Sequence, residues 1–308
     1  MKKLLLIATC ALWVSSLEAQ QKTIAERLGY PKNTKLLILH ADDVGVSHSV
    51  NLATTTAMEK GCINSASIMV PCPWFTEIAS YVREHPGMDF GLHITLTSEW
   101  SNYKWGPVTP STKAPTLINK EGFLYSSVDS VKQFAASTQV EEEIRNQVRR
   151  AIQFGIDPTH LDAHMFAVVR KPDFIKAYIK VGREYKIPVF LAREMERELN
   201  VKLESLISKN EVIADSIVTI LPDMMASNPA AYYAQTLRSL PVGLTYFIIH
   251  TAYDNEEMKS VTKGFTDWGS AWRQTEFDFF SSGECARLLK ENNIQIITWR
   301  EIRDKLYR

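Results

Sequence analysis

The sequence predicts an α/β protein built as a barrel of parallel strands, and three observations carry that prediction. Apolar, β-branched-rich runs alternate with amphipathic helical patterns along most of the chain, the signature of βαβ units and a parallel sheet. No GxGxxG and no GxxxxGK[ST] fingerprint occurs, which disfavours an open nucleotide-binding sheet. Four of the seven histidines fall at or beside the C-terminal end of an expected strand, the face on which a parallel barrel gathers its active site.

The strands are expected at 35–41 (KLLILHA), 63–70 (INSASIMV), 88–96 (MDFGLHITL), 159–166 (THLDAHMF), 187–192 (IPVFLA), 245–251 (TYFIIHT) and 294–299 (IQIITW), with a weaker one at 211–218. Helical patterns occupy 49–60, 73–84, 139–155, 171–186 and 283–293. The third of these has Glu/Arg pairs four apart and stops at Gly155, both helix-stabilising signals. Two stretches, 97–127 and 252–280, break the rhythm and read as long loops, which in a compact domain usually carry function. Their aromatic side chains, Trp268 and Trp272 among them, suit the faces of a sugar; packing of the loops onto the barrel is the plainer use of the same rings.

Lys+Arg and Asp+Glu are equal at 35 each, so the formal net charge is zero, and this argues against a nucleic-acid partner. The first residues read as an export leader: a basic MKK, the apolar LLLIATCALWV, then SSLEA with cleavage after Ala19. Residues 20–308 are then one barrel domain, periplasmic or secreted. The apolar run is too short for a membrane span, and a lipid anchor at Cys10 is disfavoured by Thr9 before it. Cys62, Cys72 and Cys285 remain, enough for at most one disulfide. Cys62 and Cys72 are nearest in sequence, and burial of each as a small core residue is an equal alternative. No CxxC occurs. A homodimer is neither required nor excluded.

The chemistry concentrates where "LLILHADDVGVSHSVN" places His40, Asp42, Asp43 and His48 within nine residues. His93, His164 and His250 sit at other strand ends. One aspartate with two histidines is a natural ligand set for a divalent cation that keeps positions open for water. A second carboxylate beside that water can act as base. Adjacent side chains on a regular strand face opposite ways, so Asp42 and Asp43 share a cavity only where the chain has left the strand, and Gly45 fits such a turn. Ser47 suffices as the cap of the following helix. His160, Asp162 and His164 alternate along one strand face, with His160 one layer deeper, as a partner to a ligand.

In this order, ADDVGVSHSVN, GCINSASIMV, GLHITLT and THLDAHMF resemble the YdjC (ChbG/HpnK-like) family of carbohydrate deacetylases. Its pattern runs A-D-D-F-G-x-S, G-x-[VI]-[TN]-S-x-S-x-M, G-x-H-x-x-L-T and H-[IL]-D-[ST]-H-x-H. Each element alone is weak, but the ordered set is specific. The resemblance implies a distorted TIM-like (β/α) barrel and a divalent metal ion, Mg or Zn, held by Asp43, His93 and His164. It implies Asp42 as the base toward water and His250 as the acid for the leaving amine; the strand-face spacing, not the resemblance, sets His160 and Asp162 behind the ligands. Arg193 at a strand end resembles a family arginine near Asp42 or substrate, and a surface ion pair explains it equally. Arg273 and Glu276 resemble a late R-x-x-E segment, structural or near the substrate. Val44 replaces the usual aromatic, Phe166 and Ala167 interrupt the repeated histidines, and Thr251 follows His250 in place of proline. The expected activity is removal of acetyl groups from N-acetylated mono- or oligosaccharides. Another amide or ester hydrolysis, or non-catalytic sugar binding, are the alternatives; no second carboxylate set for a two-metal phosphatase is evident.

Overall fold

The structure, a computed structural model, describes residues 22–221, 228–265 and 267–308; the expected leader and Cys10 lie outside them. The strands are β1 (Lys35–Val44), β2 (Ser65–Ile68), β3 (Phe90–Ile94), β4 (Leu161–Ala163), β5 (Ser216–Thr219), β6 (Gly243–Ile249) and β7 (Ile294–Ile296). All pair in parallel, in the order β4-β3-β2-β1-β6-β5, with β7 against the start of β1. β1 is central: the run Leu36–Leu39 is apolar and every position after Lys35 is buried, as parallel strands covered by helices require.

The sheet curls into a distorted barrel. The gap between β4 and β5 is spanned by single bridges, Leu161 to Val189 and Ala192 to Ala214. There the Leu161 N–H donates to Pro188 O (2.8 Å) and the Ala214 N–H to Leu191 O (2.8 Å). The strand expected at 187–192 is therefore a pair of bridges and no ladder. Pro188 has no N–H to donate, so pairing with β4 is limited to the Leu161–Pro188 bond and the one from the Phe190 N–H to Leu161 O (2.7 Å), with the Tyr178 hydroxyl also donating to Leu161 O. The last strand ends at Ile296, short of the expected 299, because Thr298 caps the closing helix through the Glu301 N–H at 3.1 Å.

The helices before β4 are α1 (Ile24–Leu28), α2 (His48–Lys60), α3 (Phe75–Glu84), α4 (Val128–Phe134) and α5 (Ser137–Gln153). After β4 come α6 (Pro172–Tyr185), α7 (Met195–Leu199), α8 (Pro229–Arg238), α9 (Glu256–Val261), α10 (Ser270–Phe280), α11 (Gly283–Glu291) and α12 (Trp299–Leu306). Residues 252–280 are thus not one loop. α10 was hidden in the sequence because its buried face mixes Trp272, Phe279 and Phe280 with the charged Arg273 and Glu276, which blurs the apolar periodicity of a helix. Residues 97–127 are irregular, as expected, but tied down. Trp105 Nε1 donates to Thr97 O (2.8 Å), Tyr103 donates to Val46 O (2.7 Å), and the buried Glu143 carboxylate accepts the Val108 and Thr109 N–H groups at 2.9 and 2.8 Å. No helix among the described residues is long and apolar enough to cross a membrane.

Below the mouth of the barrel, β3 makes room for a histidine. A Cβ on Gly91 would lie 2.4 Å from the buried His160 ring. Gly91→Ala is expected to cost about 1–3 kcal/mol, the usual range for overpacking a filled core. Urea denaturation checks this, and a midpoint unchanged from wild type would show that the ring moves freely.

Candidate active site

The site is built at the exit of β1. Strand alternation puts His40 and Asp42 on the same side of β1. The register against β2 shifts between Ala41 and Val44, and at that point Asp43 takes a left-handed φ of 66°. Aspartate is one of the few side chains that tolerates this region. The turn expected at Gly45 (φ 94°) therefore starts two residues earlier, on Asp43 itself. That early turn lets two successive carboxylates face one cavity. Backbone strain of this kind collects at functional positions.

Asp43 Oδ1 lies 3.5 Å from His93 Nε2 and 3.2 Å from His164 Nδ1. The three residues are buried and their donor atoms lie within 4.8 Å of one another. Asp43 Oδ1 has no hydrogen-bond partner despite its burial. A cation about 2.0–2.2 Å from each donor would occupy the point where these lone pairs converge, so the residues fit the group. His164 is flanked by Asp43 on Nδ1 and by Glu99 on Nε2, 3.1 Å away. Burial opposes its charge, but these two carboxylates outweigh burial and raise the imidazole to about 10; the same negative field favours a dication. Burial also opposes the Asp43 charge, and the Arg273 guanidinium holds that carboxyl well below the usual range through a 2.8 Å bond from Nη2 to Oδ2.

Asp162 is the hub beneath. Its Oδ1 accepts from His93 Nδ1 at 2.7 Å, and its Oδ2 accepts from Ser67 Oγ and the Tyr246 hydroxyl, each at 2.9 Å, with His40 Nε2 at 2.9 Å. The bond to His93 Nδ1 turns the Nε2 lone pair toward Asp43, the outer-shell arrangement common to metal-ligating histidines. His160 is buried deeper. It stacks on Trp299 with centroids 5.1 Å apart, and its Nε2 is 4.0 Å from Asp162. His40, set aside by the sequence reading, lies between Asp162 and Asp42, with Nε2 3.2 Å from Asp42 Oδ1. Burial again opposes its charge, and Asp162 and Asp42 overcome burial to raise it to about 9.

Asp42 Oδ2 faces His93 Nε2 at 3.7 Å and His250 Nε2 at 3.9 Å. Burial is the main reason that the His250 imidazole is lowered to about 4. Its backbone N–H donates to Glu276 Oε2. Burial likewise raises Glu276 to about 7, partly offset by that bond and by one from Tyr233 at 3.0 Å. These groups open into a cavity of about 400 Å³ that also meets Glu99, Trp100, Phe166, Phe265, Trp268 and Arg273. Met165 and Phe166, just after His164, both adopt positive φ (51° and 54°). This aims Phe166 into the cavity where the family pattern has another histidine.

The structure thus gathers Asp42, Asp43, His93, His164, His250 and Trp268 around one cavity. Trp272 stands behind Trp268, ring centroids 5.0 Å apart, and does not line it. Arg193 does not reach it either. Its guanidinium bonds Glu204 at 2.7 Å, in a depression beside Gly243 at the entry of β6, whereas the cavity lies at the exit of that strand. The surface ion pair is the reading that holds for Arg193. His48 is exposed and bonds Glu77 at 2.7 Å. Sequence reasoning missed Glu99 and Trp100, which follow GLHITLT in an irregular segment with no periodicity to mark them. It underused His40, whose two-residue spacing from Asp42 was the available signal.

Fold and site together define a class: a parallel α/β barrel whose strand exits carry a buried carboxylate–imidazole cluster suited to a cation, with a further carboxylate facing the same cavity. The family described as YdjC-like protein matches residues 36–291. A carbohydrate deacetylase of Thermus thermophilus is 30% identical over 292 residues, covering 92% of this chain and 99% of the relative. The chain belongs to the YdjC-like family. A chitooligosaccharide deacetylase of Serratia marcescens is 27% identical over 176 residues, covering 56% of this chain and 65% of that protein. A solved Enterococcus faecalis protein named for cellobiose-phosphate cleavage superposes with a TM-score of 0.74 at 18% identity, covering 87% of this chain and 99% of its own; that likeness concerns the fold.

Proposed function

We propose that this protein is a metal-dependent carbohydrate deacetylase that hydrolyses the amide of N-acetylated sugars. The observation that carries the reading is a second carboxylate, Asp42, beside the Asp43–His93–His164 cluster: one carboxylate for a cation and one left for a proton. A bound divalent cation, Mg or Zn, polarises an acetyl carbonyl and lowers the pKa of water next to it. The chain supplies the rest. Asp42 takes the proton of the attacking water, and His40 keeps its other oxygen oriented. Arg273 fixes Asp43 through Nη2, and its Nη1 has no protein partner, leaving a donor for a substrate oxygen. His250, held as the free imidazole, collects the proton from the Asp42 side and passes it to the leaving amine. Trp268 and Phe166 offer aromatic faces to the sugar ring.

The test is acetate release from N-acetylglucosamine, chitobiose and longer chitin oligomers by protein loaded with Mg, Mn, Zn or Co. Release that stops on chelation and returns with metal is the expected result. No acetate from any of these sugars at full metal occupancy would sink the reading. The proposal includes export: protein recovered from the periplasm or medium is expected to begin at Gln20, and N-terminal sequencing that returns the uncleaved leader would overturn it.

A further inference from the structure

Three cysteines lie among the described residues, and none belongs to the cavity. The pairing suggested by proximity in sequence, Cys62 with Cys72, is not the one the fold brings about. Cys72 is fully buried and feels the charges of Glu99 and Asp43, on the cavity side of the barrel. Cys62 follows α2 and precedes β2, so it sits at the strand entries. There it meets the turn that leads into the helix carrying Cys285, and each thiol shifts the titration of the other.

Backbone contacts hold the two together. The Cys62 N–H donates to Phe280 O at 2.8 Å. Gly61 packs so closely on the same turn that a Cβ would lie 2.6 Å from Phe280 O and 2.8 Å from Ser281 Cα. Ser282 then caps α11, accepting from the Cys285 N–H at 3.4 Å. The end of α2 is thereby clamped to the α10–α11 junction, which brings Cys62 and Cys285 to the same corner of the fold. Cys62 is half-buried and Cys285 buried, so one thiol is within reach of solvent and the other waits behind it.

We propose that Cys62 and Cys285 are an oxidisable pair that closes into an intramolecular disulfide, stapling the α2–β2 turn to the start of α11. With a low-molecular-weight disulfide such as oxidised glutathione, the steps balance as follows. Cys62, as thiolate, attacks one sulfur; the glutathione S–S bond breaks and one glutathione thiol leaves. Cys285 then loses its proton and attacks the Cys62 sulfur. The mixed disulfide breaks, and the second glutathione thiolate takes up that proton. Two protein thiols are oxidised and one glutathione disulfide is reduced to two thiols. Cys62 goes first because it is the accessible thiol and because the neighbouring Cys285 lowers its pKa, while the neighbouring Cys62 and then burial raise that of Cys285; thiolate fraction and access set the order of attack. The closed loop runs from β2 through α10, and long loops restrict the unfolded chain most.

The test treats the full chain with oxidised glutathione, unfolds and alkylates it, and maps tryptic peptides without reduction. The expected product joins peptides 61–83 and 274–287, with fragmentation placing the link on Cys62. Cys72→Ser keeps that product and Cys62→Ser loses it. The oxidised form is expected to melt about 5 °C or more above the reduced form, and dithiothreitol reverses the gain. Complete alkylation of all thiols after oxidation, or a link from Cys285 or Cys62 to Cys72, would overturn the proposal. A mapped Cys62–Cys285 link with no rise in Tm would overturn the staple, since the native positions would then not hold the bond.

Discussion

Asp42→Asn is expected to lower kcat for acetate release by about 10²–10⁴, the span of a lost general base, while metal stoichiometry stays at the wild-type value. The separation of the two effects follows from the geometry. Asp43, His93 and His164 are the group proposed to hold the cation, one of three buried groups whose donor atoms lie within 4.8 Å of one another, and Asp42 stands beside it, 3.7 Å from His93 Nε2. An amide at position 42 keeps the size of the side chain but cannot accept a proton at pH 7. Steady-state kinetics alongside calorimetric metal titration checks both halves. Unchanged kcat would remove Asp42 from the proton path. Loss of metal together with activity would mean that Asp42 is itself a ligand, so that the two aspartates share the role divided between them here.

The contrast between the two aspartates also shows how far the sequence could be read. The pairs of elements on which the site depends, a strand followed by a helix, were legible because β1, β3 and β6 are continuous apolar runs ending in polar residues. Position along those runs was enough to bring Asp42, Asp43, His93, His164 and His250 to one face. What the pattern could not give was depth and direction. Arg193 ends an apolar run like the others, yet the shear of the barrel leaves it beside Gly243, at the entry of β6. Glu99 sits in an irregular segment, and only its tertiary contact with His164 at 3.1 Å marks it. α10 carries Arg273 and Glu276 inward, and a charged buried face contradicts the rule by which helices are recognised. For Glu99, Arg273 and Glu276 the missing information was a long-range contact that satisfies a buried charge, which local periodicity does not encode.

Asp162 is where such contacts accumulate, and its replacement is the second large effect expected. Its two oxygens take bonds or close approaches from His93, His40, Ser67 and Tyr246, all between 2.7 and 2.9 Å, and the side chain is buried. An asparagine there retains one acceptor oxygen and turns an NH₂ toward groups that are themselves donors. His93 then loses the partner that fixes its tautomer, and His40, held cationic to about pH 9 by Asp162 and Asp42 against its burial, loses the larger share of its countercharge. Asp162→Asn is therefore expected to weaken metal affinity or activity by about 10–100-fold and to lower stability by about 3–5 kcal/mol, the cost of leaving a buried charge unpaired. The two losses are separable when unfolding is followed on metal-free protein, because bound metal itself stabilises the native state. Metal titration, and urea denaturation of the metal-free protein, make the comparison. A variant that binds metal within threefold of wild type would show that His93 is oriented by packing alone. A variant that binds weakly but unfolds at the wild-type midpoint would show that His40 gives up its proton at no cost, and that the charge beneath Asp42 is dispensable to the fold.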